Sequence, residues 1–134
     1  MNYGIVLKVL GSILIIEAML MVPSYAIALF THGNDENAFL FTIILTALIG
    51  LVLAKRKART NKISARDGFA IVTFGWLLAS LLGALPLYLP GYTNTYIDAL
   101  FEIVSGFTTT GATILANVEV LPKGVLFWRS FTHW

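Results

Sequence analysis

Apolar residues fill three long stretches of this chain with little interruption, and polar residues collect in the gaps between them. The first stretch, residues 9–30, is broken only by Glu17 and Pro23; at about 1.5 Å per residue it exceeds the ~30 Å hydrocarbon thickness of a bilayer. Residues 38–54 form a second run with no charge inside it, and residues 69–89 a third, with Trp76 and Tyr88 among them and Pro86 and Pro90 bending or ending it. The pattern predicts three membrane-crossing helices. A secretory signal peptide is the rival reading of the first, since Lys8 precedes an apolar region and Ala26, Ile27 and Ala28 have the small-x-small form of a cleavage site. Against it stand Glu17 in the apolar region and the further spans that follow.

The fourth segment has a different pattern. After a turn at Pro90, Gly91 and Tyr92, the run "TYIDALFEIVS" over residues 95–105 opens with Thr95-x-x-Asp98, a capping-box form, and spaces its apolar residues helically with Asp98 and Glu102 four apart on one face. A helix of that length measures about 16 Å, half a bilayer. It leads into "SGFTTTGATIL", residues 105–115, which is polar, β-branched and averse to helix. Another apolar helix is predicted to begin at about Val125, with Lys123 and Trp128 near an interface.

Composition agrees with the pattern. The chain has 134 residues, 57% hydrophobic and 12% charged, where soluble domains carry roughly 25% charged residues. Six of its nine basic residues, Lys55, Arg56, Lys57, Arg59, Lys62 and Arg66, fall in the gap between the second and third runs. Beside a span, such a cluster follows the positive-inside rule and needs no nucleic-acid partner. The basic loop and Met1 are therefore expected in the cytoplasm, and the loops around residues 31–37 and 90–94 outside. There is no cysteine, and His32 and His133 stand isolated without a metal-ligand pattern. No nucleophile pairs with a base, so no catalysis is assigned.

A short helix entering the membrane and an extended polar segment leaving it form a re-entrant loop, a backbone tolerated at that depth only where protein buries it or water lines it. Gly111 accepts positive φ without penalty, so the carbonyls of residues 109–113 can line an axis and replace the hydration shell of a monovalent cation. The helix end near Ser105 and Gly106 turns the negative end of its dipole toward that axis. Three other readings fit the stretch: a phosphate-binding loop, for which Ala112 stands where a lysine is needed; a small-residue helix-packing face; and a solvated outer loop. Glu17 is either a functional intramembrane carboxylate or a structural one packed against a neighbouring helix. Asp98 and Glu102 either concentrate cations at an outer mouth or serve as helix cap and structural hydrogen-bonding residue. Arg129 either answers a carboxylate elsewhere in a longer protein or anchors at the interface beside Trp128.

The runs "DALFEIVSGFTTTGATIL" and "LPKGVLFWRSFTHW" resemble the first pore repeat of the Trk/Ktr-type potassium uptake proteins, membrane subunits of the TrkH kind. The resemblance spans essentially the whole chain, with helix, filter and the Trp-Arg-Ser…His-Trp run in the family's order. It implies an all-α integral membrane protein: two leading transmembrane helices and a basic cytoplasmic loop in residues 1–67, then one incomplete helix–pore loop–helix repeat in residues 68–134. It implies potassium uptake across the cell membrane through a filter at Thr109, Thr110, Gly111, Ala112 and Thr113, in the place of the TVGYG loop of potassium channels, with no cofactor and no metal beyond the transported ion. The family carries four such repeats in one polypeptide. The expectation is hence an N-terminal portion inactive alone, with a non-transporting membrane scaffold as its alternative. The complete proteins are, by the same resemblance, homodimers working with a cytosolic nucleotide-binding regulatory subunit.

Overall fold

In the computed structural model, which describes residues 1–33, 35–117, 119 and 121–133, every regular element is a helix. Helix α1 runs over Tyr3–Thr31, α2 over Glu36–Ala54, α3 over Ala65–Gly83, α4 over Leu85–Tyr88, α5 over Tyr96–Phe107 and α6 over Lys123–Thr132. Three helical stretches are long and apolar enough to cross a membrane: α1, α2, and α3 continued through α4. The structure thus has the three spans the hydrophobic runs predict. Asn34 of the acidic loop and Trp134 of the closing motif lie outside the described residues.

Helix α1 starts where the Asn2 side chain accepts from the Ile5 amide, and it ends at His32, whose left-handed backbone closes the last turn. Pro23 sits inside it without breaking it; lost backbone bonds of this kind are tolerated in membrane helices where neighbouring groups compensate. The basic loop after α2 ends in a complete capping box, in which Ser64 accepts from the Asp67 amide and Asp67 accepts from the Ser64 amide. Asp67 also accepts from the Asn2 amide at 3.0 Å, and the Asn2 side chain donates to the Thr60 carbonyl. The amino end of α1 and the basic loop are thereby tied at one end of the bundle.

The opposite end is tied by Asp35, which is fully buried before α2 and accepts from the Val125 amide of α6 at 3.1 Å. Burial pushes its carboxyl above the usual carboxylate range, and the hydrogen bond from Val125 opposes that shift. Between these ends α1 packs most extensively on α2 and also meets α3 and α6. Polar side chains point inward, with Glu17, Ser24, Thr42, Thr46 and Ser80 buried, while Phe30, Phe41, Phe69 and Phe74 lie on the surface. Apolar surface of that extent suits lipid as solvent, because acyl tails are as apolar as the side chains they meet.

The span through α3 is jointed. Ala84 closes α3, and Pro86 stands in the first turn of α4, where its missing N–H removes no helical bond. The joint leaves the Gly83 carbonyl to accept from the Trp128 indole at 3.0 Å, which fixes α6 against α3.

A re-entrant segment and its bracket

Helix α5 descends alongside α3. Its first residue, Tyr96, donates its hydroxyl to the Leu81 carbonyl and sets its ring edge-on to Tyr88, with centroids 5.5 Å apart; its last, Phe107, meets Trp76 at 5.9 Å. Between Tyr88 and Trp76 the neighbouring span covers 12 positions, about 18 Å of helix rise, so α5 reaches roughly half-way along it. The chain then climbs back: Ile114, Leu115 and Ala116 line one cavity with Tyr92, Thr93 and Asp98, at the level where α5 began. The expected half-helix and returning segment are both present. The structure sets the helix at Tyr96–Phe107, capped by Thr95, whose hydroxyl accepts from the Asp98 amide. Asp98 is not the cap itself.

The returning segment leaves α5 through Thr108, whose hydroxyl donates to the Val104 carbonyl at 2.7 Å and pairs with that of Thr110 at 2.8 Å. Thr109 follows with φ of 55° and Gly111 with φ of 76°, while Thr110 and Ala112 between and after them do not have positive φ. The sign of φ thus alternates from Thr109 to Ala112. Positive φ is unusual for a β-branched residue, so Thr109 marks local strain. At Gly111 a Cβ would meet nothing within 4 Å, so conformation rather than space is what calls for glycine there.

The five positions anticipated as a filter differ in their bonding. Thr110 donates its amide to the Ser105 carbonyl at 2.9 Å, and the Ala112 carbonyl accepts from the Ser105 hydroxyl at 2.7 Å. The Thr113 hydroxyl donates to Glu102 at 2.7 Å and accepts from the Leu115 amide at 3.1 Å. Among the described residues, the carbonyls of Thr109, Thr110, Gly111 and Thr113 accept no hydrogen bond, and residues 108–114 are exposed in this chain. Four carbonyls of the five are unengaged among the described residues.

Behind the segment lies a network that spacing along the sequence does not reveal. Glu102 is 1% exposed, so it is no mouth-lining charge. One of its oxygens accepts from Thr113 Oγ1 and from the Ile114 amide at 2.6 Å; the other is paired with Arg129 Nε of α6 at 3.0 Å. Arg129 therefore finds its carboxylate within this chain, and both sequence-based readings of it give way to this one. Helix α6 comes close because α5 presents Gly106 to Thr132; any Cβ there would overlap that side chain. His133 Nδ1 donates to the Arg129 carbonyl at 2.8 Å and closes α6. Glu17 is buried with neither oxygen hydrogen-bonded among the described residues, on a cavity of about 410 Å³ lined also by Ile13, Phe107, Trp128 and Thr132.

A helical chain with membrane-length helices and a half-helix followed by a returning polar strand belongs to the class of pore-loop membrane proteins. Comparison with known proteins makes the assignment specific. Residues 34–134 match the family model TrkH, described as cation transport protein, and the chain belongs to that family. It is 36% identical over 129 residues to an uncharacterized cation transporter of Methanocaldococcus jannaschii, covering 96% of this chain and 27% of that protein. It is 35% identical over 137 residues to the Trk system potassium uptake protein TrkH of Halomonas elongata, covering 100% of this chain and 28% of that one. The crystal structure of the potassium transporter TrkH from Vibrio parahaemolyticus superposes with a TM-score of 0.89 at 28% identity, over 98% of this chain and 29% of that chain. The chain thus spans little more than a quarter of the length of the relatives it matches.

Proposed function

We propose that this chain contributes to potassium uptake across the cell membrane as one wall of a TrkH-like pore, with Thr109, Thr110, Gly111, Ala112 and Thr113 as its filter segment. The observation that carries the reading is the row of carbonyls at Thr109, Thr110, Gly111 and Thr113 that accept no hydrogen bond among the described residues, on a backbone whose φ alternates in sign. Carbonyl dipoles without protein partners are the ligands that a dehydrating monovalent cation requires. The Ala112 carbonyl, held by Ser105, gives that position a supporting role.

Residues 1–67 are the two leading helices with their basic loop and residues 68–134 belong to the first pore repeat. The loop that holds Lys55 and Arg66 faces the cytoplasm together with Met1; charge asymmetry supports this, as does the tie between Asn2 and Thr60. One filter wall does not surround an ion, so transport requires further walls, in keeping with the share of its relatives that the chain covers. A second copy of the complete protein and a cytosolic nucleotide-binding regulatory subunit, both implied by the family resemblance, complete the assembly.

The test uses a complete protein in which residues 1–134 are joined to the remaining pore segments of the Halomonas elongata relative. Potassium and sodium uptake are measured for Gly111→Ser at matched amounts in the membrane. A lowered potassium-over-sodium ratio is expected; an unchanged ratio would mean a packing or surface loop.

A further inference from the structure

We infer that Glu102, aligned by Arg129, is the residue that positions the returning limb of the filter segment and so sets where its carbonyls stand. This rests on the reading of residues 109–113 as a filter. Glu102 lies on the descending helix, 11 residues before Thr113 and 12 before Ile114, and takes both onto one carboxylate oxygen. Its other oxygen is given wholly to Arg129, 27 residues on. A single buried side chain thus joins three segments: α5, the strand and α6.

A second tie runs parallel to the first. Ser105 stands three residues after Glu102, on the same face of α5, and holds the Ala112 carbonyl at 2.7 Å. The two ties lay the strand against one face of the half-helix, Ala112 by its carbonyl and Thr113 by its hydroxyl. Thr113 Oγ1 is consumed between Glu102 and the Leu115 amide. The oxygen that Thr113 has left for an ion is its carbonyl, and the direction of that carbonyl depends on the bond its hydroxyl makes.

The charge of Arg129 is required because Glu102 is buried. A carboxylate withdrawn from solvent needs a paired cation and hydrogen bonds on its remaining lone pairs, and removing one partner leaves an uncompensated charge. The bond is made by Nε, a donor fixed within the planar guanidinium that an ammonium on a flexible stem does not reproduce. Arg129 thus acts on the strand through Glu102.

Loss of the bracket is expected to loosen carbonyl spacing before it stops transport. Selectivity is a difference between two binding free energies, and it is lost when the site adapts to either ion. In the complete protein described above, Glu102→Gln should lower the potassium-over-sodium uptake ratio about tenfold, equivalent to ~1.4 kcal/mol, while potassium uptake persists. Arg129→Lys, which keeps the charge and removes the Nε donor, should lower the ratio by a smaller factor. The double variant Glu102→Gln/Arg129→Gln should be no worse than Glu102→Gln alone, since Arg129 acts only through Glu102.

Gly111→Ser, measured in parallel, separates the two levels. A ratio that falls in Gly111→Ser and stays unchanged in Glu102→Gln overturns the bracket and leaves the filter standing; no change in either overturns the filter, and the bracket with it. Should Glu102→Gln fail to reach the membrane, Arg129→Lys decides, and an unchanged ratio there overturns the inference.

Discussion

At the scale of single residues, Thr109 and Gly111 reach positive φ by different routes. Glycine accepts φ of 76° freely, whereas Thr109 is held at 55° by its neighbours: its hydroxyl donates to the Thr108 carbonyl at 2.7 Å, and its amide donates to Gly106 at 2.9 Å. Because nothing lies within 4 Å of a Cβ at Gly111, Gly111→Ala and Gly111→Ser should behave alike, each acting through backbone strain of about 1–3 kcal/mol. A tenfold loss of potassium-over-sodium preference follows for each ~1.4 kcal/mol that reaches the difference between the two ions. Paired uptake measurements in the complete protein check this; a serine effect well beyond that of alanine would point to the added hydroxyl instead. Thr108→Ser keeps the hydroxyl that meets Val104 and Thr110, so its expected effect on the ratio is small.

At the scale of elements, the helices were legible wherever hydrophobic runs decide them. The half-helix and two of the spans stand within a few residues of their expected positions, at α5, α2 and α3 continued through α4, while α1 begins earlier, at Tyr3, because Asn2 caps it. Also legible was the need for a conformationally free residue at Gly111. The Glu102–Arg129 pair was not, because it joins positions 27 apart and exists only once α6 lies against α5. Neither was the engagement of the Ala112 carbonyl, since a serine in the last turn of a helix does not by itself name its acceptor. The joint between α3 and α4 carries its own prediction. Trp128 is 2% exposed and its indole donates to the Gly83 carbonyl, so Trp128→Phe keeps most of the apolar volume and leaves that carbonyl unpaired. A loss of about 1–3 kcal/mol is expected, read as a lower melting temperature of the purified chain in detergent. Phe127→Leu, on the exposed side of the same helix, should change it little.

At the scale of the whole molecule, the two ends of the bundle are distinct: Asn2, Thr60 and Asp67 meet at one, Asp35 and Val125 at the other. On the proposed topology, with the basic loop in the cytoplasm, a cysteine at Asn61 should be protected from an impermeant reagent added to intact cells, and one at Asn94 should react; both positions are exposed. Reversed labelling would invert the topology. The distribution of polar atoms leads further, to whether the chain acts alone. The buried carboxylate of Glu102 is bracketed on both oxygens, yet residues 108–114 stand exposed beside helices whose surfaces are largely apolar. In hydrocarbon each unpaired backbone carbonyl costs several kcal/mol, so those of Thr109, Thr110, Gly111 and Thr113 need water, an ion or more protein in front of them. On the proposed filter reading, one wall supplies one side of an ion's coordination shell. Residues 1–134 expressed alone in a strain deficient in potassium uptake should therefore give no growth rescue at low potassium, while the complete protein carrying the same residues should. Robust rescue by the short chain would instead require several copies to surround one axis. Cross-linking between cysteines placed at Ala112 of neighbouring copies would then have to trap them together.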